Sequence, residues 1–310
     1  MEIFEQLFYA LPGSVSQGLI WGIMAIGVFI TYRILDVADL TVDGSFATGG
    51  AVAVMLILNG CNLWLAMLLA FVAGLLAGAV TGLLHTLMGI PPILAGILTQ
   101  LSLYSINLKI MGKANQSVNV NQTDLLVSLR WVKEFALHNP LITVGITIVI
   151  LVAVLYWFFG TEMGCALRAT GANLNMSRAQ GINTNFNKVL GIMISNGLVA
   201  FAGAFLAQYQ GFADVKMGQG AIVIGLAAVI IGEAIFGKIF KNFALRLLSV
   251  VFGSIIYYIV VQAVITLGLD ANLLKLLSAV IVAIFLAIPY WKRQHKEKHM
   301  GKAKGGKADA

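Results

Sequence analysis

Charge is what this sequence has least of. Only 11% of its 310 residues are Asp, Glu, Lys or Arg, while 59% are hydrophobic. That balance excludes a soluble globular domain, in which about a quarter of the residues are charged. Cysteine is nearly absent too. Cys61 and Cys165 give neither a disulfide framework nor metal-ligand spacing, and the topology below puts them on opposite sides of a membrane, too far apart to pair. The histidines His85, His138, His295 and His299 are scattered, and no serine or cysteine has a base close to it in sequence. The Gly-x-x-x-x-Gly-Lys-Ser/Thr phosphate loop does not occur. The chain therefore reads as no enzyme, with no metal site and no cofactor of its own.

What it does have is apolar length. Windows of about 20 residues, enough to cross about 30 Å of hydrocarbon, predict helices over 12–32, 44–60, 63–88, 91–111, 140–160, 189–209, 220–237, 248–269 and 272–291. The second and seventh are short and glycine-rich and read equally as broken or re-entrant segments, so the expected count runs from about eight to ten spans. The expected fold class is all-α, a polytopic membrane helical bundle. Gly74, Gly78 and Gly82 recur every fourth residue, which predicts a bare helix face packed inside the bundle.

The formal charge of +7 sits mainly at one end. Residues 292–310 carry seven Lys or Arg against Glu297 and Asp309. Directly after an apolar helix, such a tail reads as a cytoplasmic anchor rather than a nucleic-acid patch. The expected organisation is a transmembrane domain over 1–291, containing a long loop at 161–188, and a disordered basic tail over 292–310. Counting back from a cytoplasmic C-terminus, the loop at 161–188 (Arg168, Arg178, Lys188) and the loop at 237–247 (Lys238, Lys241, Arg246) fall inside, as the positive-inside rule asks. The Asn/Gln-rich segment 112–126 then lies outside, with the N-terminus external, unless the second segment is re-entrant. Glu2 and Glu5, with no basic n-region, predict that no signal peptide is cleaved.

An inverted repeat is also expected, because transporters often join two inverted halves at a midplane site. Aligning 38–54 with 213–229 gives five identities, Ala38/Ala213, Asp39/Asp214, Gly50/Gly225, Ala53/Ala228 and Val54/Val229, at an offset spanning five predicted helices.

Three segments carry polar groups where lipid would forbid them. In Arg33–Gly50, Asp36, Asp39 and Asp43 fall within eight residues, and an ionised carboxylate at the bilayer centre costs at least about 2.5 kcal/mol. Two readings stand. One is a cytoplasmic turn with Arg33 as partner, Asp43 N-capping the next helix; the other is a broken helix along which Asp39, Thr41, Asp43 and Ser45 line a substrate path. In 91–112, Pro91 and Pro92 open a helix that carries Thr99, Gln100, Ser102, Tyr104 and Asn107, read as a wet interior face. Asn196, Gln208 and Asp214 complete the candidate path, and bonding to neighbouring helices or solvent competes with that reading at each position. In the long loop, Thr161 predicts an N-cap for a short helix over 162–169 stopped by Gly171. Asn173 caps a second turn that Gly181 ends, and Asn183 or Thr184 caps the next span.

The loop residues Gly164, Arg168, Ala169, Gly171, Asn173, Ala179, Gly181 and Ile182, followed by "GLVAFAGAFLAQ" and "GLAAVIIGEAIFG", resemble the permease subunits of bacterial ABC importers of the branched-chain amino acid and ribose type over nearly the whole chain. The resemblance implies that this loop, with Glu162, couples to a separate cytoplasmic ABC ATPase that binds the ATP. It further implies an extracytoplasmic substrate-binding lipoprotein, a homodimer or a second similar permease, and residence in the bacterial cytoplasmic membrane. The family's Asn-aromatic-small-x-Gly pattern is replaced by Asp39-Leu40-Thr41-Val42-Asp43-Gly44, which looks like the subgroup importing aromatic amino acids such as tryptophan or tyrosine. A secondary transporter that couples Asp39, Asp43 or Asp214 to an ion is the competing expectation.

Overall fold

The computed structural model describes residues 2–119, 125–133 and 139–267, with isolated positions between 273 and 287. Its elements are α1 (Glu2–Phe29), which continues through a π-helical turn Ile30–Ile34, α2 (Thr41–Leu58), α3 (Leu63–Thr86), α4 (Pro92–Met111), β1 (Asn115–Ser117), a 3-10 turn Leu129–Lys133, α5 (Pro140–Gly160), α6 (Glu162–Ala172), α7 (Leu174–Ala179), α8 (Thr184–Gln210), β2 (Phe212–Asp214), α9 (Ala221–Phe236) and α10 (Phe243–Thr266). Among the described residues, seven helices are long and apolar enough to cross a membrane, and α9 is a shorter apolar helix. The expected span 272–291 is described only at isolated positions, and the tail 292–310 lies outside the described residues.

Two layers organise the bundle. α1, α2 and α8 bury most of their apolar length, whereas α3, α4, α5 and α10 keep broad exposed apolar faces, the inverse of a soluble surface and suited to lipid. The Gly74–Gly82 stripe packs inside the bundle, as its spacing predicts. A Cβ at Gly78 would lie 2.8 Å from Met193 Cα, and one at Gly82 2.9 Å from Val189 Cα, so α3 and α8 meet almost backbone to backbone.

These contacts also fix helix directions. α1 runs against α8, with Gly27 beside Ser195 and the Tyr209 hydroxyl donating to the Gly13 carbonyl, and against α10, with Gly18 beside Ile255 and Gly22 beside Val251. α9 runs against α10, pairing Gly232 with Ser249 and Ala228 with Gly253. α2 runs with α8, because Ser45 meets Asn196 and Gly50 meets Ala207. It follows that α2 and α9 run in opposite senses. The residue pairing expected for an inverted repeat is not kept, since Asp39 lies two residues before α2 whereas Asp214 lies seven before α9, in a surface ribbon with β1. One end of the bundle carries α6 and α7, and the other carries the β1–β2 ribbon. Cys61 follows α2 at the ribbon end and Cys165 lies in α6; both are free.

Candidate functional site

α2 and α9 begin at the same place inside the bundle. Gly218 packs on the Asp43 backbone, Asp43 Oδ2 accepts from Gly220 N at 2.9 Å, and Oδ1 accepts from Ile222 N at 3.0 Å. A carboxylate thus satisfies the first donors of a helix that carries no capping side chain of its own. The N-terminus of α2 is served by Asp39, whose Oδ1 accepts from Thr41 N at 2.9 Å. The turn reading had Asp43 capping its own helix and Arg33 pairing with the aspartates. Asp39 does the first job, and Arg33 pairs instead with Glu233 on α9 at 2.9 Å. Asp36 is exposed in the turn at φ 54°, a left-handed conformation that Asp tolerates.

Around this junction lies a buried polar cluster. Asn196 Nδ2 donates to Asp39 Oδ2 at 2.6 Å and to the Ile192 carbonyl at 3.0 Å, while its Oδ1 accepts from the Ser45 hydroxyl at 2.7 Å. Beside it the hydroxyls of Thr41, Thr81 and Thr99 form a chain, 2.7 Å from Thr41 to Thr81 and 2.9 Å from Thr81 to Thr99. Asp39 is 2% exposed and Asn196 fully buried. The cluster therefore joins α2, α3, α4 and α8 through polar atoms that would be costly to strand in an apolar interior. Of the path candidates it collects Asp39, Thr41, Ser45, Thr99 and Asn196. Thr81 was missed; it shares a face with Gly78 and Gly82, and that polar member of a bare face was its only signal.

The remaining candidates lie elsewhere. Gln100 sits against Gly44 on α2, and Asn107 is buried on the same α4 stripe, with neither amide atom hydrogen-bonded. Ser102 and Tyr104 face outward, Ser102 donating to the Leu98 carbonyl. Gln208, fully buried near the ribbon end, accepts from Leu126 N at 3.0 Å and so holds the segment before the 3-10 turn. Asp214 accepts from Lys216 N at 2.7 Å and from Asn115 Nδ2 at 3.3 Å within the ribbon.

The loop between α5 and α8 folds much as its caps predict. Thr161 Oγ1 accepts from Gly164 N, Asn173 Oδ1 from Met176 N and Asn183 Oδ1 from Phe186 N, and Gly181 takes φ 79° after α7. One expectation fails. Gly171 does not stop α6, which continues to Ala172. Gly171 is instead a contact point: a Cβ there would strike the Ile34 carbonyl and lie 2.9 Å from Leu35 Cα. Only hydrogen fits between α6 and the end of the first span. Gly164 seats on the last turn of α5 in the same way. Asn187 on α8 donates to Thr170 at 3.3 Å, and Arg178 to Thr184 at 3.1 Å. A short chain leads from Gly171 through Leu35 to Asp39. Ala169, Ile182, Arg168 and Glu162 lie on or beside the same two short helices, which are bound to the π-helical turn Ile30–Ile34, α5 and α8 and expose much of their outer surface.

The family described as the branched-chain amino acid transport system permease component matches residues 11–289. A tyrosine transport system permease protein of Clostridioides difficile is 38% identical over 273 residues, covering 88% of this chain and 89% of its own. A fructose import permease of Bifidobacterium longum is 28% identical, covering 99% of this chain and 88% of its own. Among solved structures, an inward-facing ABC transporter of the metal-chelate type aligns with a TM-score of 0.51 at 14% identity, over 94% of this chain and 89% of that one; this is a likeness of fold. Family match, relatives and bundle agree: the chain belongs to the branched-chain amino acid transport system permease family, the membrane-embedded permease subunits of ABC importers.

Proposed function

We propose that this permease passes an amino acid, an aromatic one such as tyrosine, from an extracytoplasmic binding protein to the cytoplasm, driven by ATPase subunits that grip α6 and α7. The tyrosine permease relative supports the solute class. The absence of a phosphate loop from the sequence supports placing ATP hydrolysis on another chain. Loop 161–188 faces the cytoplasm in this reading, the β1–β2 ribbon faces the binding protein, and the permease works as a dimer with itself or a similar subunit.

The observation that carries the mechanism is the seating of Gly171 against Ile34 and Leu35. Movement of α6 cannot be absorbed there by a flexible side chain. It passes into the turn that holds Asp39, and from there to Thr41, Ser45, Thr99 and Asn196, where the oppositely directed α2 and α9 meet. The path proposal places Asp43 and Gln100 alongside that junction, Asn107 about two turns further along α4, and Gln208 and Asp214 toward the ribbon end; Ser102 and Tyr104, on the outer face of α4, are candidates for a subunit-facing wall. Two-state rearrangement of such a packed polar junction is how small shifts become alternating access.

Proteoliposomes test the reading. Containing the permease, its ATPase and its binding protein, they should accumulate labelled tyrosine only with ATP, with leucine and ribose as competitors for solute class. Uptake driven by a proton or sodium gradient through the permease alone would replace the reading with ion-coupled transport by its aspartates.

A further inference from the structure

A second polar feature lies away from the α2–α9 junction. Where α5 ends and α10 begins, a cavity of about 700 Å³ opens beside α6, lined by Arg168, Lys241 and Arg246 with Trp157, Tyr156 and Asn242. Among the described residues no acidic side chain lines it, and the one salt bridge, Arg33 to Glu233, does not involve its cations. Arg168 lies over the Phe243 ring at 5.7 Å and donates to Cys165 Sγ. Its neighbours Lys241 and Arg246 are exposed. The first turn of α10 enters the same cavity without a capping side chain, because Asn242 makes no cap bond, and its free donors add positive potential.

An apolar surface leads away from this cavity. Ile142, Ile146, Val149, Ile150, Val154 and Trp157 form an exposed stripe along α5, ending on Trp157, which is 71% exposed. Trp157 is also the shared wall of a second groove of about 590 Å³, lined almost wholly by apolar side chains of α3, α5 and α8. Tyr156 and Trp157 sit at the end of a membrane-length helix, the level at which aromatic side chains mark the bilayer interface. Three cations without an acidic partner, open helix donors, an interfacial Trp-Tyr pair and an adjoining apolar groove that shares Trp157 match one class of ligand.

We propose that this cleft holds the headgroup of an anionic phospholipid whose chains lie along α5 and the α3–α5–α8 groove. Basic pockets between transmembrane helices are the usual seat of such headgroups. The bound lipid would wedge between α5, α6 and α10, tying the position of α6 to the leaflet around it.

The test uses the full-length permease purified without partners and exchanged into mixed phosphatidylglycerol and phosphatidylcholine, with retained lipid counted by native mass spectrometry. Phosphatidylglycerol should be retained selectively, and R168Q, K241Q and R246Q should each weaken retention by roughly fivefold. K109Q/K113Q/K216Q, which removes exposed cations near the ribbon end, should leave retention unchanged and controls for net charge. The exposed substitution K241E, which reverses one charge without touching packed side chains, should weaken retention as well and serves if R168Q folds poorly. Equal retention of both lipids, equal loss in the ribbon-end variant, or displacement by soluble glycerol 1-phosphate at matched concentration would overturn the proposal. Failure of tyrosine uptake in the reconstitution above would leave it standing.

Discussion

The carboxamide of Asn196 on α8 donates to the Asp39 carboxyl at 2.6 Å, closing a contact between residues 157 apart in sequence. The same amide accepts from Ser45 and donates to Ile192, so no other residue type fills its place with all bonds kept. N196L should strand the Asp39 oxygen and the Ser45 hydroxyl in the interior. The expected loss is about 1–3 kcal/mol, read by thermal or denaturant unfolding in detergent. D39N/N196D reverses donor and acceptor across the contact and should recover part of what each single variant loses, with a coupling of about 0.5–3 kcal/mol. Additive effects would show that the two residues act separately.

Asp43 on α2 caps α9 from 177 residues away in sequence. D43A should cost about 1–2 kcal/mol by leaving Gly220 and Ile222 N–H groups without acceptors, and D43N, which keeps one acceptor, should cost less. Hydrogen exchange localised to the first turn of α9 distinguishes this from a general loosening. Equal protection of that turn in wild type and D43A would contradict the capping role.

The α3–α8 contact predicts an asymmetry between two neighbouring positions. G78L drives a branched side chain into Met193 and should cost about 1–3 kcal/mol or more. L76A, on a face that is 62% exposed, should change stability in a membrane-like environment by a few tenths of a kcal/mol. Matching melting shifts for the two variants would sink the packing account.

A substitution at Gly171 tests the proposed coupling separately from folding. G171L should displace α6 from Ile34 and Leu35 while leaving the helix itself intact. Measured in the reconstituted system, ATPase activity should persist while ATP-driven uptake falls at least about tenfold, an effect of 1.4 kcal/mol or more on the coupled step. Retained uptake would mean that motion enters elsewhere.

Much of this architecture was legible from the residues. Apolar windows located the spans because a bilayer demands about 20 such residues in a row, and the caps at Thr161, Asn173 and Asn183 announced α6, α7 and α8 because Asx and Thr side chains have few other uses at those positions. The glycine stripe gave its partner's closeness but not its identity. The partners of Asp39, Asp43 and Arg33 were not legible, since Asn196, Gly220 and Glu233 lie far along the chain and no local pattern links them. Gly171 was misread for a related reason: a glycine near a helix end signals a stop by local rules, and only the fold reveals the backbone of Ile34 against it. Thr81 carries no charge and sits in an apolar run, so its place on the bare Gly78/Gly82 face is the one local mark of its role as polar cement.

The central claim is that nucleotide-driven motion enters through α6 and α7 on the cytoplasmic side. Cys165, exposed on α6, reports on it directly in a C61S background. A membrane-impermeant maleimide should modify Cys165 in inside-out vesicles stripped of ATPase, fail to modify it in intact cells, and be blocked when the ATPase is restored. Modification in intact cells, or a rate indifferent to the ATPase, would contradict the account.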